Sequence, residues 1–181
     1  MATSTPKFTI RLEGENLTFS AVHFITFRDG GKESDPIVEP PHSHLFRVKA
    51  AIAGPLGDDS LLIDFQTARD ILLEILRKFH GKTILADRQA GMTYDKKADS
   101  LRVWFTPIGE DNPRILTFGK DETVTLRADN SSTEAIALFI AETFRNRLAE
   151  RDLFPAGIAS YSVLISLEEE PGMIAEVRLE G

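Results

Sequence analysis

The stretch PPHSHLFRVKAAIA, residues 40–53, has two features that decide how this chain folds. From His44 onward, apolar or aromatic side chains occupy every second position, which is the pattern of a strand with one buried face. His42 and His44 stand two residues apart at its start, so a strand directs both imidazoles to the face that carries Phe46. The pair is therefore either half of a metal site or only the polar start of a strand.

Length, composition and charge indicate a single globular domain over residues 1–181. The chain is 42% hydrophobic and 27% charged, which is enough apolar material to bury a core. Its net charge of -7 argues against a general nucleic-acid binder, because neutralising phosphates requires a surplus of Lys and Arg on some face. A small anionic substrate in a local basic pocket remains compatible with this charge.

The absence of cysteine excludes disulfides, thiolate metal ligands and a cysteine nucleophile. The first residues contain no apolar segment of the kind found in signal peptides. No apolar run approaches the roughly 20 residues that span a bilayer. We therefore expect a cytoplasmic protein that does not enter membranes.

Alternating apolar residues predict four main strands and a possible meeting of three histidines. The strands cover residues 7–28 with a break near 14–16, 43–53, 158–168 and 173–179. His23 has the parity of the apolar face of the first strand, and a hairpin with the second would bring it to His42 and His44. Three imidazoles around an open fourth position form the ligand set of a catalytic zinc, although Fe, Ni and Cu also accept imidazole. The alternative is that His23 is a hydrogen-bonded core histidine.

Helical spacing of apolar residues predicts two helices. The first covers about 65–79 with Asp64 as its N-cap. The second runs to about 150 from a capping box formed by Ser131 and Glu134. Short strand patterns between the helices predict an extra hairpin within 88–129. The order of these elements indicates the α+β class, with helices layered on a largely antiparallel sheet.

Five segments in order resemble one enzyme family. They are FSAVH (19–23), HSHLF (42–46), LLIDF (61–65), NSSTEAIA (130–137) and EEP (169–171). The set resembles the 6-pyruvoyltetrahydropterin synthase family, which includes the queuosine-pathway carboxytetrahydropterin synthases. The resemblance implies the tunnelling fold, a four-stranded antiparallel sheet with two helices on one face. It also implies a homo-oligomer, commonly a hexamer, in which active sites lie between subunits.

The resemblance further implies that His23, His42 and His44 bind Zn²⁺ and that Glu169 anchors the ring of a pterin substrate. Strand parity agrees with the second assignment, because Glu169 shares the face of Leu167. A carboxylate suits the donor edge of a pterin, whose adjacent N–H groups form a bidentate hydrogen bond. The alternative is that the acidic residues around Glu169 form only a solvated turn.

Two departures from the family pattern concern catalysis. The family's general base is a cysteine four residues before the first histidine of the pair, where this chain has Val38, but a subset carries a glutamate one residue later. We therefore expect Glu39 to act as general acid or base, the alternative being a surface glutamate. The family's Asp-His pair appears as Phe79-His80, which retains the catalytic histidine and loses its partner, unless Asp87 substitutes.

These expectations combine into a zinc-dependent lyase that acts on a 7,8-dihydropterin such as dihydroneopterin triphosphate. Glu39 and His80 would move protons while triphosphate is eliminated or the side chain is cleaved. One alternative is a non-catalytic pterin- or metal-binding paralogue on the same fold. Another is a different metal-dependent enzyme that shares only ancestry with the family, since one fold hosts many chemistries.

Overall fold

The computed structural model describes residues 7–30, 34–153 and 161–180 and confirms the α+β class. The strands are β1 (Phe8–Leu12), β2 (Thr18–His23), β3 (Thr26–Phe27), β4 (Ile37–Val38), β5 (His42–Gly54), β6 (Lys82–Ala86), β7 (Met92–Lys96), β8 (Ser100–Phe105), β9 (Arg114–Gly119), β10 (Thr123–Leu126), β11 (Ser162–Glu170) and β12 (Met173–Glu180). The helices are α1 (Phe65–Arg77) and α2 (Thr133–Glu150), with a short 3-10 helix over Lys120–Glu122.

The main sheet is larger than the four antiparallel strands expected. Its order is β10-β6-β2-β5-β11-β12, and β1 pairs with the second half of β5, which makes seven strands. The pairings from β2 through β5 and β11 to β12 are antiparallel, whereas β6 pairs in parallel with both β2 and β10. Parallel neighbours need long crossover connections, and the chain segments that contain α1 and β7–β9 provide them.

Strand β5 is the longest element of the sheet, with 13 residues, and it determines which side chains enter the core. One edge pairs with β2 and β1 in succession, and the other pairs with β11. Phe46, Val48, Ala50 and Ile52 are buried, which confirms the predicted alternation. Buried residues of both helices belong to the same hydrophobic cluster, so the two helices cover one face of the sheet.

The first helix begins as predicted. The Asp64 carboxylate accepts a hydrogen bond from the backbone N–H of Thr67 at 2.7 Å, which satisfies a donor that the first turn leaves unpaired. The helix ends at Arg77, and Phe79 is buried just beyond it. None of the helices in the described part of the chain is long and apolar enough to cross a membrane.

The second helix has a different N-cap from the one predicted. Ser132 caps it by accepting from Ala135 N at 3.4 Å. Ser131 is fully buried, and its hydroxyl donates to the carbonyl oxygen of Phe24 at 2.6 Å instead. The capping box predicted for Ser131 and Glu134 is therefore wrong, because a tertiary hydrogen bond takes the hydroxyl that the local pattern assigned to the helix.

Strands β7, β8 and β9 form a separate antiparallel sheet, called here the accessory sheet. It corresponds to the extra hairpin predicted within 88–129, with one strand more than a hairpin requires. It covers a second hydrophobic cluster shared with the segments around β2, β4 and β6. The buried members of that cluster are Phe24, Val38, Leu85, Leu101, Val103 and Phe105.

Phe19→Ala should strongly destabilise the fold. The Phe19 ring stacks on Phe46 at a centroid distance of 4.9 Å and lies 5.1 Å from Phe79, and all three are buried. We expect the free energy of unfolding to fall by about 3–5 kcal/mol, because the cavity adds to the lost transfer energy. Phe65→Ala, at a side chain 55% exposed, should cost no more than about 1 kcal/mol. Urea denaturation measures both, and equal losses would contradict the prediction.

Candidate metal centre

Four potential metal ligands converge at one end of the β2–β5 pair. They are His23, His42, His44 and Glu169, and one ligand atom from each lies within 4.8 Å of the others. His23 pairs directly with His42 in the antiparallel register, so the end of β2 meets the start of β5. The structure thus brings together the three imidazoles predicted to meet and adds the carboxylate predicted to bind substrate.

Backbone carbonyl groups fix two of the imidazole rings. His23 Nδ1 lies 2.9 Å from the Ser131 oxygen, and His42 Nδ1 lies 2.9 Å from the Pro40 oxygen. A carbonyl oxygen only accepts hydrogen bonds, so in each neutral ring Nδ1 carries the proton and Nε2 presents a lone pair. This is the usual arrangement of metal-ligating histidines, whose second nitrogen is held by an outer partner.

Two nitrogen atoms at the centre of the cluster lack a hydrogen-bond partner. Nε2 of His23 and Nε2 of His44 are buried and form no hydrogen bond within residues 7–30, 34–153 and 161–180. The Glu169 Oε1 atom lies 2.9 Å from the first and 3.2 Å from the second. Acceptor atoms this close repel one another unless a proton or a cation lies between them. Three imidazoles and a carboxylate suit Zn²⁺ and related divalent ions.

The protonation of His23 supports a ligand role. Burial lowers the pKa of His23, because desolvation disfavours the imidazolium, and repulsion from His42 and His44 in their protonated forms would act in the same direction. The Ser131 carbonyl and the Glu169 carboxylate oppose this effect on the pKa without overcoming it. The close contact with Glu169 is therefore not a conventional ion pair, and the neutral imidazole is the form that binds metals.

Gln89 supports the site, although no sequence pattern indicated it. It is buried, and its amide Nε2 donates to Phe24 O at 3.1 Å and to Thr26 Oγ1 at 3.0 Å. Its Oε1 lies 3.1 Å from the Ser131 hydroxyl oxygen, and the Ser131 carbonyl holds His23. Gln89 therefore belongs to an outer layer that positions the first imidazole.

Glu169 is oriented by a bulge and by the second helix. The register between β11 and β12 shifts between Glu168 and Glu170, which re-aims the intervening side chain. The Glu169 Oε2 atom accepts from the Thr133 hydroxyl at 2.5 Å, at the first residue of α2. One carboxylate oxygen therefore faces the imidazoles while the other is held by the helix.

A cavity of about 390 Å³ adjoins Glu169. Its walls combine the carboxylates of Glu134 and Glu169 with apolar side chains such as Ile25 and Ile174. An apolar slot with a few acceptors suits a flat ring that carries N–H groups on its edge.

The structure places Glu39 beside the cluster and His80 elsewhere. Glu39 Oε2 lies 3.9 Å from His42 Nδ1, and this side chain is 40% exposed. His80 Nδ1 accepts a hydrogen bond from Ser20 N at 3.3 Å, on β2 before His23. Within the described ranges of this chain, no recorded contact joins His80 to the potential ligands.

Asp87 does not replace the missing aspartate within the chain. Its Oδ1 atom accepts from Ala128 N at 3.1 Å and lies 3.7 Å from Arg88 Nη1. No recorded contact between described residues joins it to His80. Asp87 instead connects the end of β6 to the segment that follows β10.

Sequence comparison identifies relatives of the whole domain. Residues 14–180 match the profile of a family described as 6-pyruvoyl tetrahydropterin synthase. A protein of Pyrococcus horikoshii, provisionally named a 6-carboxy-5,6,7,8-tetrahydropterin synthase, is 25% identical over 141 residues. That match covers 75% of this chain and 73% of the archaeal protein.

Solved structures share the fold. The 6-pyruvoyltetrahydropterin synthase of Plasmodium vivax has a TM-score of 0.77 at 20% identity, covering 97% of this chain and 99% of its own. The Plasmodium falciparum enzyme has a TM-score of 0.74 at 22% identity, covering 96% and 98%. Two further structures of the P. vivax protein, described as mutants of a catalytic residue in which glutamate becomes alanine or cysteine, also score 0.77.

The cluster predicts one tightly bound divalent transition-metal ion per chain. His44→Ala should weaken zinc affinity by more than about 100-fold, because loss of an outer partner alone typically costs 10–100-fold. His80→Ala is the matched control, since it removes an imidazole outside the cluster and should leave zinc affinity unchanged. Competition against a chromophoric chelator measures both. Equal affinities of the wild type and His44→Ala would exclude His44 as a ligand.

Proposed function

The chain belongs to the 6-pyruvoyl tetrahydropterin synthase family, and we propose that it is a zinc-dependent lyase acting on a 7,8-dihydropterin such as dihydroneopterin triphosphate. The observation that carries the proposal is the pair of buried Nε2 atoms of His23 and His44, which lack hydrogen-bond partners among the described residues and face Glu169 at the edge of a cavity. A ligand set next to a slot with carboxylate walls fits a substrate that has both a heteroaromatic ring and a hydroxylated side chain.

Ring binding is assigned to Glu169 and the cavity. The donor edge of a pterin offers adjacent N–H groups, and a carboxylate accepts both. The Thr133 hydroxyl donates to one Glu169 oxygen and fixes the plane of this carboxylate before substrate arrives. Ile25 and Ile174 line the cavity and would offer apolar contact to the ring.

The metal ligands in this proposal are His23, His42 and His44. A zinc ion there would act as a Lewis acid that lowers the pKa of hydroxyl groups on the substrate side chain. The chain's own contribution is to hold three neutral imidazoles in one register of β2 against β5. The substrate side chain would extend from Glu169 toward these rings, because the carboxylate lies between the cavity and the cluster.

Glu39 is proposed as the proton-transfer group. Elimination of triphosphate breaks a C–O bond, whose electron pair leaves with the triphosphate, while a base takes a proton from the adjacent carbon. The Glu39 carboxylate is near His42, and its exposure allows the proton to exchange with solvent. The catalytic glutamate of the P. vivax enzyme supports the assignment of this residue type.

His80 is proposed to act across a subunit interface. It lies away from the ligand cluster of its own chain, with Nδ1 accepting from Ser20 N, so its Nε2 carries the proton when the ring is neutral. We propose that a homo-oligomer, with a hexamer as the expected size, brings His80 to the site of a neighbouring subunit. The edges of the main sheet, at β10 and β12, leave backbone groups available for such assembly.

A second candidate function is a non-catalytic pterin- or metal-binding paralogue. Two observations favour it: the chain contains no cysteine, and Asp87 forms its recorded contacts away from His80. Such a protein would bind zinc and pterin through the same residues and would release no product.

Turnover distinguishes the two candidates. With zinc and dihydroneopterin triphosphate, the wild type should release triphosphate or a cleaved side chain, detected by chromatography. Glu39→Gln should lower kcat by about 10²–10⁴-fold with unchanged zinc content, the usual contribution of general acid–base catalysis. Glu15→Gln, at an exposed loop carboxylate, should retain kcat. Intact substrate across several divalent metals would favour the non-catalytic candidate.

Glu169→Ala tests whether this carboxylate binds the ring or the metal. We expect pterin affinity, followed by fluorescence titration, to fall at least about tenfold, because charge-assisted hydrogen bonds typically contribute 1.5–3 kcal/mol. Zinc content should be unchanged, since three imidazoles remain. Loss of zinc with unaltered pterin affinity would instead make Glu169 a metal ligand.

A further inference from the structure

We infer that the accessory sheet sets the position of Glu39 at the metal centre by clamping Val38, the residue before it. The effect on catalysis rests on the proposed function, in which Glu39 transfers the proton. The contacts that hold Val38 do not depend on that proposal. The accessory sheet would then be a support for the proton-transfer group and not only a cover for the main sheet.

The backbone around Val38 is held from two sides. Val38 lies in β4, which pairs with β3, and it forms a parallel bridge to Pro107. The Ile108 N–H, in the connection between β8 and β9, donates to Val38 O at 2.9 Å. The Glu39 N–H donates to Ile25 O at 2.8 Å. The start of the Glu39 segment is therefore fixed both to the strand that follows β2 and to the accessory sheet.

The Val38 side chain is part of the second hydrophobic cluster. It is 1% exposed and packs in the cluster that contains Phe105 and Val103 of β8. Phe24, the residue after His23, is fully buried in the same cluster and meets Phe105 edge to face at 5.2 Å. The second hydrophobic cluster therefore anchors both Phe24, which follows His23, and Val38, which precedes Glu39.

Gly91 shows how closely the accessory sheet approaches Val38. It has φ +76 just before β7, and an added Cβ would lie 2.8 Å from Val38 Cγ2 and 3.4 Å from Pro36. A contact of 2.8 Å is too short for two carbon atoms, so an alanine there must displace Val38 or the turn. Gly30 lies outside the accessory sheet and has φ +96, and its Cβ would meet only Ser34 Cβ at an ordinary 3.8 Å.

A displacement of Val38 should reach Glu39 without disassembling the ligands. Glu39 follows Val38 directly, whereas two prolines separate it from His42, which is itself paired with His23. The three imidazoles are held separately by the register of β2 against β5 and by carbonyl oxygens. The accessory sheet thus acts first on the position of the carboxylate, whereas the ligand set is determined mainly by the strand register.

Gly91→Ala tests the clamp, with Gly30→Ala as the matched control for backbone strain at positive φ. We expect Gly91→Ala to lower kcat by about 10–100-fold, since a misplacement of about 1 Å in an active site has effects of that size. KM and zinc affinity should stay within about twofold, as expected when ground-state binding is intact. Gly30→Ala should keep all three constants near those of the wild type. A crystal structure of Gly91→Ala should show the Glu39 carboxylate moved and the imidazoles in place.

Several outcomes overturn the inference. An unchanged kcat in Gly91→Ala does so, as does an equal loss in Gly30→Ala or a loss of zinc together with kcat. If Gly91→Ala does not fold, Val38→Ala loosens the clamp by removing two methyl groups, and an unchanged kcat in that variant overturns it equally. If the wild type turns over no dihydropterin, the proposed function fails, and the Glu39-to-His42 distances in the crystal structures of the wild type and the variants decide on the clamp alone.

Discussion

His23 lies opposite His42 because β2 and β5 pair in one register. That register determines both the ligand cluster and the aromatic packing of the core. A slip of one residue would turn every side chain of a strand to the other face. The same register places Phe19 opposite Phe46, where the rings stack at 4.9 Å in the core. The apolar packing that stabilises the fold therefore also keeps the imidazoles on one side of the sheet.

The site joins the two layers of the fold. The three imidazoles come from strands, but two of the groups that orient the site come from the segment that opens the second helix: the Ser131 carbonyl holds His23, and the Thr133 hydroxyl holds Glu169. Buried polar groups of this kind stabilise a structure only when all of them are paired. Within the described chain, two nitrogen atoms at the centre of this otherwise paired network remain unpaired. They reduce the stability of the fold unless a bound cation pairs with them.

The sequence predicted the features that depend on local periodicity. Alternation along β5 indicated the face shared by His42 and His44, and helical spacing with Asp64 indicated the first helix. The parallel pairings of β6 could not be predicted, because they join segments that are far apart in sequence and have no local pattern. The N-cap at Ser132 was missed because two adjacent serines suit the role and only the tertiary contact of Ser131 distinguishes them. If the proposed oligomer forms, the position of His80 relative to a complete site would depend on other subunits, which no local pattern of the sequence describes.

The division of the interior into two hydrophobic clusters has an evolutionary consequence. Substitutions among the residues that β7–β9 cover change the surroundings of Val38, which lies in the second hydrophobic cluster. The residues whose packing aligns β2 with β5 lie in the main cluster. Under the proposed roles of Glu39 and the three imidazoles, reaction rate and metal retention would then be adjustable by largely separate sets of substitutions. Descendants of one such domain could acquire new chemistry without first losing their ion.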